Sequence, residues 1–146
     1  MKYPEPRIWI PKFPEKYDGN ANNIVARSSW EIKFFNWCDN RAAVIKWSSE
    51  ETIIPYRCAT DSKIHRYYLD AKIQVKNKDG LIKTFLVEIK PKVQCYPPKY
   101  PGRQTKRYLT ESLTFMKNQS KWEAAKAYAI ERGWKFVVLT EDDLGI

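Results

Sequence analysis

Two carboxylates and a lysine in the middle of the chain are the side chains best suited to chemistry. Glu88 and Lys90 lie two residues apart in the run LVEIK, so a β-strand would present both on one face. Asp70 ends the segment HRYYLD, which also has the composition of a strand. Carboxylate oxygens are ligands that Mg²⁺ prefers, and a bound metal ion can acidify water and stabilise charge on a phosphoryl oxygen. With a lysine nearby to orient that water, these residues predict metal-assisted phosphodiester hydrolysis.

A β-hairpin must position these residues. Residues 64–75 alternate between apolar and polar types, and residues 81–90 form a second run of strand composition. The turn between them, Lys78-Asp79-Gly80, sets a register that places Asp70 directly opposite Glu88, provided that the glycine is left-handed. Side chains paired in this way have Cβ atoms about 5 Å apart, a separation that one divalent cation can bridge. The residues that share the predicted apolar face are Tyr67, Leu69, Ala71, Ile73 and Val75.

A helix upstream of the hairpin offers a further carboxylate. Ser28 is a suitable N-cap and Glu31, three residues later, completes a capping box, which predicts a helix through about Asn40. Glu31 could face the cluster and position a second ion or a metal-bound water. The alternative for Glu31 is that it only caps the helix. The alternative for Asp70 and Glu88 is that they belong to a charged face of the hairpin that is exposed to solvent. The residues alone leave these alternatives open.

The other elements predict an α/β fold, more narrowly an α+β sandwich in which helices flank a mixed central sheet. The second of two predicted helices has a capping box, Ser120 with Glu123, and Gly133 as its C′ residue. The predicted elements are a strand over 44–57, helices over about 103–117 and 120–133, and a buried strand over 134–140.

Length, charge and cysteine content narrow the class of protein. A chain of 146 residues fits one domain, predicted over residues 24–146, after an extended proline-rich arm over residues 1–23. The net charge of +9 favours a polyanionic partner, although a basic protein that is merely soluble is the alternative. No apolar run approaches the roughly 20 residues of a membrane span, so we expect no membrane association. Cys38, Cys58 and Cys95 show no CxxC spacing, which argues against disulfides and against a zinc site.

A basic connection follows the carboxylates. From Ile89 to Thr110 the chain has no acidic residue, and its lysines and arginines are interleaved with tyrosines. This pattern is typical of a groove that follows a nucleic-acid backbone, and a solvated surface loop is the alternative. The residues predicted to contact DNA are Lys92, Lys99, Arg103, Lys106, Arg107 and, before Asp70, His65.

The chain resembles the PD-(D/E)XK nuclease superfamily, most closely the head-completion nucleases of large contractile-tailed bacteriophages and the endonuclease subunits of heteromeric transposases. The segments that carry the resemblance are RSSWEIKFFNWCD, WSSEETIIPY, HRYYLDAKI, LVEIKPK and KWEAAKAYAIERGWKFVVLTED. They span most of residues 24–143, and they imply a restriction-endonuclease-like fold. Leu69 replaces the usual proline and Ala71 a frequent aromatic residue, departures that affect strand geometry but remove no ligand.

The resemblance also implies roles for individual residues. Asp70, Glu88 and the backbone carbonyl of Ile89 would bind Mg²⁺, for which Mn²⁺ would substitute. Lys90 would orient the attacking water. Glu31, the family's helix glutamate, would assist a second metal ion or the water. The expected products carry a 5′-phosphate and a 3′-hydroxyl.

The implied substrate is double-stranded DNA, and the implied biological role is completion of the filled phage head. Partners would then be head and portal proteins, and cutting of both strands is compatible with a homodimer. The expected location is the host cytoplasm or the virion itself. Two rivals remain: a structural head-completion or DNA-binding plug that does not cleave, and a transposase or junction-resolving subunit that cuts only within a complex.

Overall fold

A computed structural model describes residues 2–146 of the chain, with side chains from residue 5 onward. Short 3-10 helices, Pro14–Lys16 and Lys92–Cys95, lie in the connections. The strands and α-helices in chain order are β1 (Lys2–Trp9), β2 (Ile24–Ser28), α1 (Ser29–Asn40), β3 (Val44–Ser49), β4 (Ile53–Arg57), β5 (Ile64–Tyr68), β6 (Ala71–Lys76), β7 (Ile82–Ile89), α2 (Lys106–Glu131), β8 (Lys135–Leu139) and α3 (Glu141–Leu144).

The central sheet has the strand order β3-β6-β7-β8. β3, β6 and β7 pair antiparallel, whereas β8 lies parallel to β7. The predicted mixed sheet flanked by helices is therefore confirmed. The strand predicted over 134–140 exists as β8, but its placement as a fully buried strand is wrong, because β8 lies at an edge of the sheet and most of its residues are only half-buried.

Two predicted long strands are each divided. The strand predicted over 44–57 is interrupted at Glu50, whose positive φ of 56° turns the chain out of β3 before β4 begins. The segment 64–75 is interrupted at Leu69 and Asp70, between β5 and β6. β4 and β5 pair with each other in a separate two-stranded sheet, which makes a hairpin beside the central sheet.

The break at Leu69–Asp70 also changes the face on which the apolar side chains lie. Tyr67 and Leu69 pack in the core beside α2, together with Trp122. Ala71 and Ile73 pack instead in the core beside α1. The prediction that one face carries all of these residues is thus wrong, because strict alternation holds only while a strand continues without a break.

The helices cover the two sides of the sheet. α1 is capped at Ser28 as predicted, with the hydroxyl accepting the Glu31 N–H at 3.1 Å. α2 is one continuous helix, so the two predicted helices are wrong. The Ser120 hydroxyl donates to the Met116 carbonyl inside α2 at 3.1 Å and caps no new helix. Gly133 has φ of +72°, which confirms it as the C′ residue after α2.

The N-terminal residues lie along the domain in extended conformation. β1 pairs antiparallel with β2, and the Trp9 ring packs against Phe35. Tyr17 is buried, and the Lys12 N–H donates to Asp39 at 2.7 Å. The boundary between arm and domain at residue 23 stays a prediction. Among the described residues, no helix combines the length and the apolar character needed to cross a membrane.

Candidate active site

The register of the β6–β7 hairpin is the one that the sequence predicts. The Asn77 N–H donates to the Leu81 carbonyl at 2.9 Å, and Gly80 adopts the left-handed φ of 80°. Ala71 pairs with Val87 at the far end of the ladder. Asp70, in the bend just before β6, and Glu88, the β7 residue after Val87, flank this last pair, which brings the two acidic residues to the same end of the ladder.

Asp70 sits where the antiparallel ladder ends. Its Oδ2 accepts the Ile89 N–H at 2.7 Å, so the carboxylate holds a backbone donor of the facing strand. The neighbouring Ile89 side chain points into the core beside α1, as predicted from the alternation along β7. Asp70 is therefore fixed by a bond from the strand that carries Glu88.

Glu88 is almost fully buried, with 5% of its surface exposed. One carboxylate oxygen accepts a hydrogen bond from the Tyr67 hydroxyl. The other oxygen lies 3.3 Å from the Lys90 Nζ, in an ion pair that is also largely shielded from solvent. The predicted placement of Glu88 and Lys90 on one face of β7 is thus observed in the fold.

The carboxylates of this cluster repel one another. The pKa of Asp70 is raised well above its usual value, first because burial disfavours the charged form and second because of the Glu88 charge. The charge of Glu31 raises the pKa of Asp70 further, whereas the Ile89 N–H and the Lys90 charge lower it. Hard oxygen donors held together against their repulsion fit a divalent cation, which would relieve that repulsion.

Glu31 approaches the cluster from the first turn of α1. Its Oε2 accepts the Arg27 N–H at 2.6 Å. In a complete capping box the carboxylate would instead accept the N–H of the N-cap residue, Ser28. The predicted box is therefore half formed. The effect of Glu31 on the pKa of Asp70 places its charge within electrostatic reach of the hairpin.

A second lysine, which the sequence did not single out, reaches this site from α2. The Lys121 Nζ lies 5.5 Å from the centre of the Tyr67 ring, the same ring whose hydroxyl bonds Glu88. Burial lowers the pKa of Lys121, and the positive charges of Lys90 and Lys117 lower it further, while Glu88 and Asp70 act in the opposite direction. No local pattern marks Lys121, because its approach depends on how α2 packs against the sheet.

The residues predicted to contact DNA have varied surroundings. The Lys92 Nζ lies 3.0 Å from Asp142, a residue of α3, and the Arg107 side chain lies 2.8 Å from Glu111, one turn further along α2. Both basic groups therefore already have an acidic partner. His65 lies in β5 and pairs with Asp61 at 2.7 Å. The remaining predicted DNA contacts are all exposed: Lys99, Arg103 and Lys106. A role of these six residues in DNA binding stays a prediction.

A central mixed sheet with two neighbouring carboxylates and a lysine at the end of a hairpin is typical of the nuclease class with a restriction-endonuclease-like fold. Residues 41–141 match the family described as TnsA-like endonuclease N terminal, and the chain belongs to that family. It is 42% identical over 140 residues to the head completion nuclease of Enterobacteria phage T4, an alignment that covers 93% of this chain and 91% of that protein. No solved structure matches the chain. The resemblance read from the sequence is therefore confirmed.

Proposed function

We propose that this protein is a Mg²⁺-dependent endonuclease that cleaves double-stranded DNA during completion of a phage head. The observation that carries the proposal is the position of Asp70 at the end of the β6–β7 ladder, where its carboxylate holds the Ile89 N–H next to Glu88 and Glu88 forms an ion pair with Lys90. A net charge of +9 on the chain suits a DNA substrate.

Asp70 and Glu88 are the residues that would hold the metal ion, with the Ile89 carbonyl as a third oxygen donor. All three donors are hard oxygens, which suits Mg²⁺ and allows Mn²⁺ to substitute. Glu31 would serve a second ion or a bound water. When bound, the ion supplies an acidified water and stabilises negative charge on the scissile phosphate.

The protein's own side chains divide the remaining work. Lys90 orients the attacking water and offsets the developing negative charge. Lys121 faces the same centre from α2 and binds a phosphate oxygen of the substrate. Tyr67 acts as a positioning residue, because its hydroxyl holds the Glu88 carboxylate in place.

The role in head completion is supported by the phage T4 relative, whose alignment covers almost the whole chain. Head and portal proteins would be the partners, in the host cytoplasm or in the virion, and a homodimer would cut both strands. The plug that does not cleave is less favoured, since the carboxylates and the lysine are all present and assembled. A nuclease subunit active only within a complex remains the second candidate, supported by the TnsA-like family match.

Plasmid cleavage by the purified chain tests the proposal. We expect nicking and linearisation with Mg²⁺ or Mn²⁺, none with a chelator, and none from Asp70→Asn or Lys90→Ala, while DNA binding persists. Asp79→Asn and Lys78→Ala, in the exposed turn of the same hairpin, are matched controls that should cleave normally. Equal cleavage by the site variants and the controls would contradict the proposal, and cleavage only after addition of partner proteins would favour the second candidate.

A further inference from the structure

A second group of metal-ligating side chains lies in the β4–β5 hairpin, apart from the carboxylate pair. Cys58, Asp61 and His65 each offer one ligand atom, and these atoms all lie within 4.8 Å of one another. Among the side chains that the structure describes, from residue 5 onward, these three form the one group of His, Cys, Asp or Glu ligand atoms that lie this close together. The lack of CxxC spacing excludes a zinc site built from cysteine pairs, but the hairpin brings together a mixed set of ligands that no such spacing marks.

Backbone hydrogen bonds bring the three residues together. Tyr56 pairs with His65 across the hairpin, so Cys58, two residues after Tyr56, shares the face of the His65 side chain. The Cys58 N–H donates to the Lys63 carbonyl at 2.9 Å, which closes the connection that contains Asp61. The ligands are thus held by the hairpin ladder and by the closure of its loop.

The donor atoms suit a transition metal and not Mg²⁺. A thiolate, an imidazole and a carboxylate are ligands of Zn²⁺, which binds three protein groups and leaves a fourth position open in many sites. The Thr60 hydroxyl lies 3.0 Å from the Cys58 Sγ, so a further oxygen stands beside the three ligand atoms. The Asp61 and His65 side chains are each 39% exposed, so an ion can reach the cluster from solvent.

We propose that Cys58, Asp61 and His65 form a zinc site, with solvent or the Thr60 hydroxyl at the fourth position. In the metal-free protein the His65 Nε2 and Asp61 Oδ2 lie 2.7 Å apart and share a proton in a hydrogen bond. Zinc binding releases the Cys58 thiol proton to solvent, and the single ring proton of neutral His65 then sits on Nδ1, so that the Nε2 lone pair and the Asp61 Oδ2 both turn towards the ion. The site cross-links the hairpin whose β5 strand carries Tyr67, the residue bonded to Glu88. The proposal is independent of the nuclease function.

Cobalt spectroscopy tests the proposal, because a thiolate ligand gives Co²⁺ a charge-transfer absorption that an oxygen-only site cannot produce. The full chain, stripped of metal with a chelator, is titrated with Co²⁺ and then with Zn²⁺. We expect one equivalent of thiolate-bound Co²⁺, displaced by Zn²⁺, with the band unchanged in Glu88→Gln and lost in His65→Gln. Cys95→Ser is the matched control and should keep the band.

Thermal unfolding provides a second readout that does not depend on a variant of the buried Cys58. Zinc at 100 times its dissociation constant should raise the unfolding temperature of the wild type by about 5–10 °C. Asp61→Asn and His65→Gln should unfold like the metal-free wild type and show no such rise. Absence of the cobalt band in the wild type, loss of the band in Cys95→Ser, or an equal thermal shift in His65→Gln would each overturn the proposal.

Discussion

The β6–β7 and β4–β5 hairpins lie next to each other along the chain but hold their polar groups in different ways. At β6–β7, Asp70 lies where the ladder ends and its carboxylate holds the Ile89 N–H, next to Glu88 in β7. In β4–β5, Cys58 and Asp61 belong to the connection, and closure of the loop brings them to His65. A ladder presents like oxygen donors across a sheet, whereas a closed loop can collect donors of different chemistry.

The two hairpins are joined at Tyr67, a β5 residue whose hydroxyl donates to Glu88 on β7. Tyr67 and Leu69 both pack in the core beside α2. We therefore expect changes at the β6–β7 carboxylates to abolish chemistry, while changes in β5 and the residue after it alter stability or the position of Glu88.

Glu88→Gln should have the largest effect on cleavage, because it removes a charged metal ligand but keeps an acceptor for the Tyr67 hydroxyl. Loss of a residue that only hydrogen-bonds a metal ligand typically lowers activity by up to about 100-fold. Because Glu88 is a ligand itself, cleavage should fall by more than that. Steady-state nicking rates at saturating Mg²⁺ measure this. Glu123→Gln, on the exposed surface of α2, is the control, and equal activity of the two variants would contradict the role of Glu88.

Leu69→Ala should cause the largest loss of stability in this region. Leu69 is completely buried where the chain passes from β5 to β6, so its truncation should cost about 2–5 kcal/mol in free energy of unfolding. Ile64→Ala, at a β5 residue that is 59% exposed, should change it by no more than about 0.5 kcal/mol. Chemical denaturation compares them, and similar losses would show that the packing of Leu69 is misassigned.

Tyr67→Phe should weaken metal binding without unfolding the protein. Loss of the hydrogen bond to Glu88 should raise the Mg²⁺ concentration needed for half-maximal cleavage by about 10-fold or more. Tyr68→Phe, the adjacent and exposed residue, should leave that concentration unchanged. A fall in stability with no change in the Mg²⁺ dependence would mean that Tyr67 is structural alone.

Lys121→Ala should lower kcat/KM for cleavage by about tenfold, as expected for one lost contact to a charged phosphate oxygen. Lys126→Ala, on the exposed side of α2, should change kcat/KM much less. If the two variants lose activity equally, Lys121 contributes only general positive charge and does not face the substrate.

Asp70→Asn should give a small gain in metal-free stability. Because the pKa of Asp70 is raised in the folded protein, the folded state binds this proton more tightly than the unfolded chain does. Metal-free stability of the wild type should therefore fall as the pH rises from the usual carboxyl value of 3.8 through the raised one. With a metal chelator present, Asp70→Asn should unfold at a higher temperature than the wild type, and the difference should grow as the pH rises. The control variant Asp79→Asn should show no such difference.

The register of β6–β7 was predictable because two local signals agreed. The turn at 78–80 and the alternation along both strands specify one pairing, and a one-residue slip would send the carboxylates to opposite faces. The helix start at Ser28 was predictable for a similar reason, since its N-cap bond spans only three residues. Local hydrogen bonds of this kind leave a readable pattern in sequence.

Other features depend on packing that no short pattern records. Alternation continues through Leu69 and Ala71, although the two side chains enter different cores, because period alone does not identify the sheet to which a strand belongs. Ser120 resembles an N-cap but lies within α2, since no glycine or proline interrupts the helix there. Lys121 comes to the carboxylates only through the docking of α2 on the sheet.

Anomalous diffraction from crystals grown with Mn²⁺ tests the central claim most directly. If Asp70 and Glu88 share one divalent cation, a single strong peak should lie between their carboxylates and should vanish in Glu88→Gln crystals grown in the same way. Active protein in which Mn²⁺ binds elsewhere, while Asp70 keeps only the Ile89 N–H and Glu88 keeps only Tyr67 and Lys90, would contradict the account.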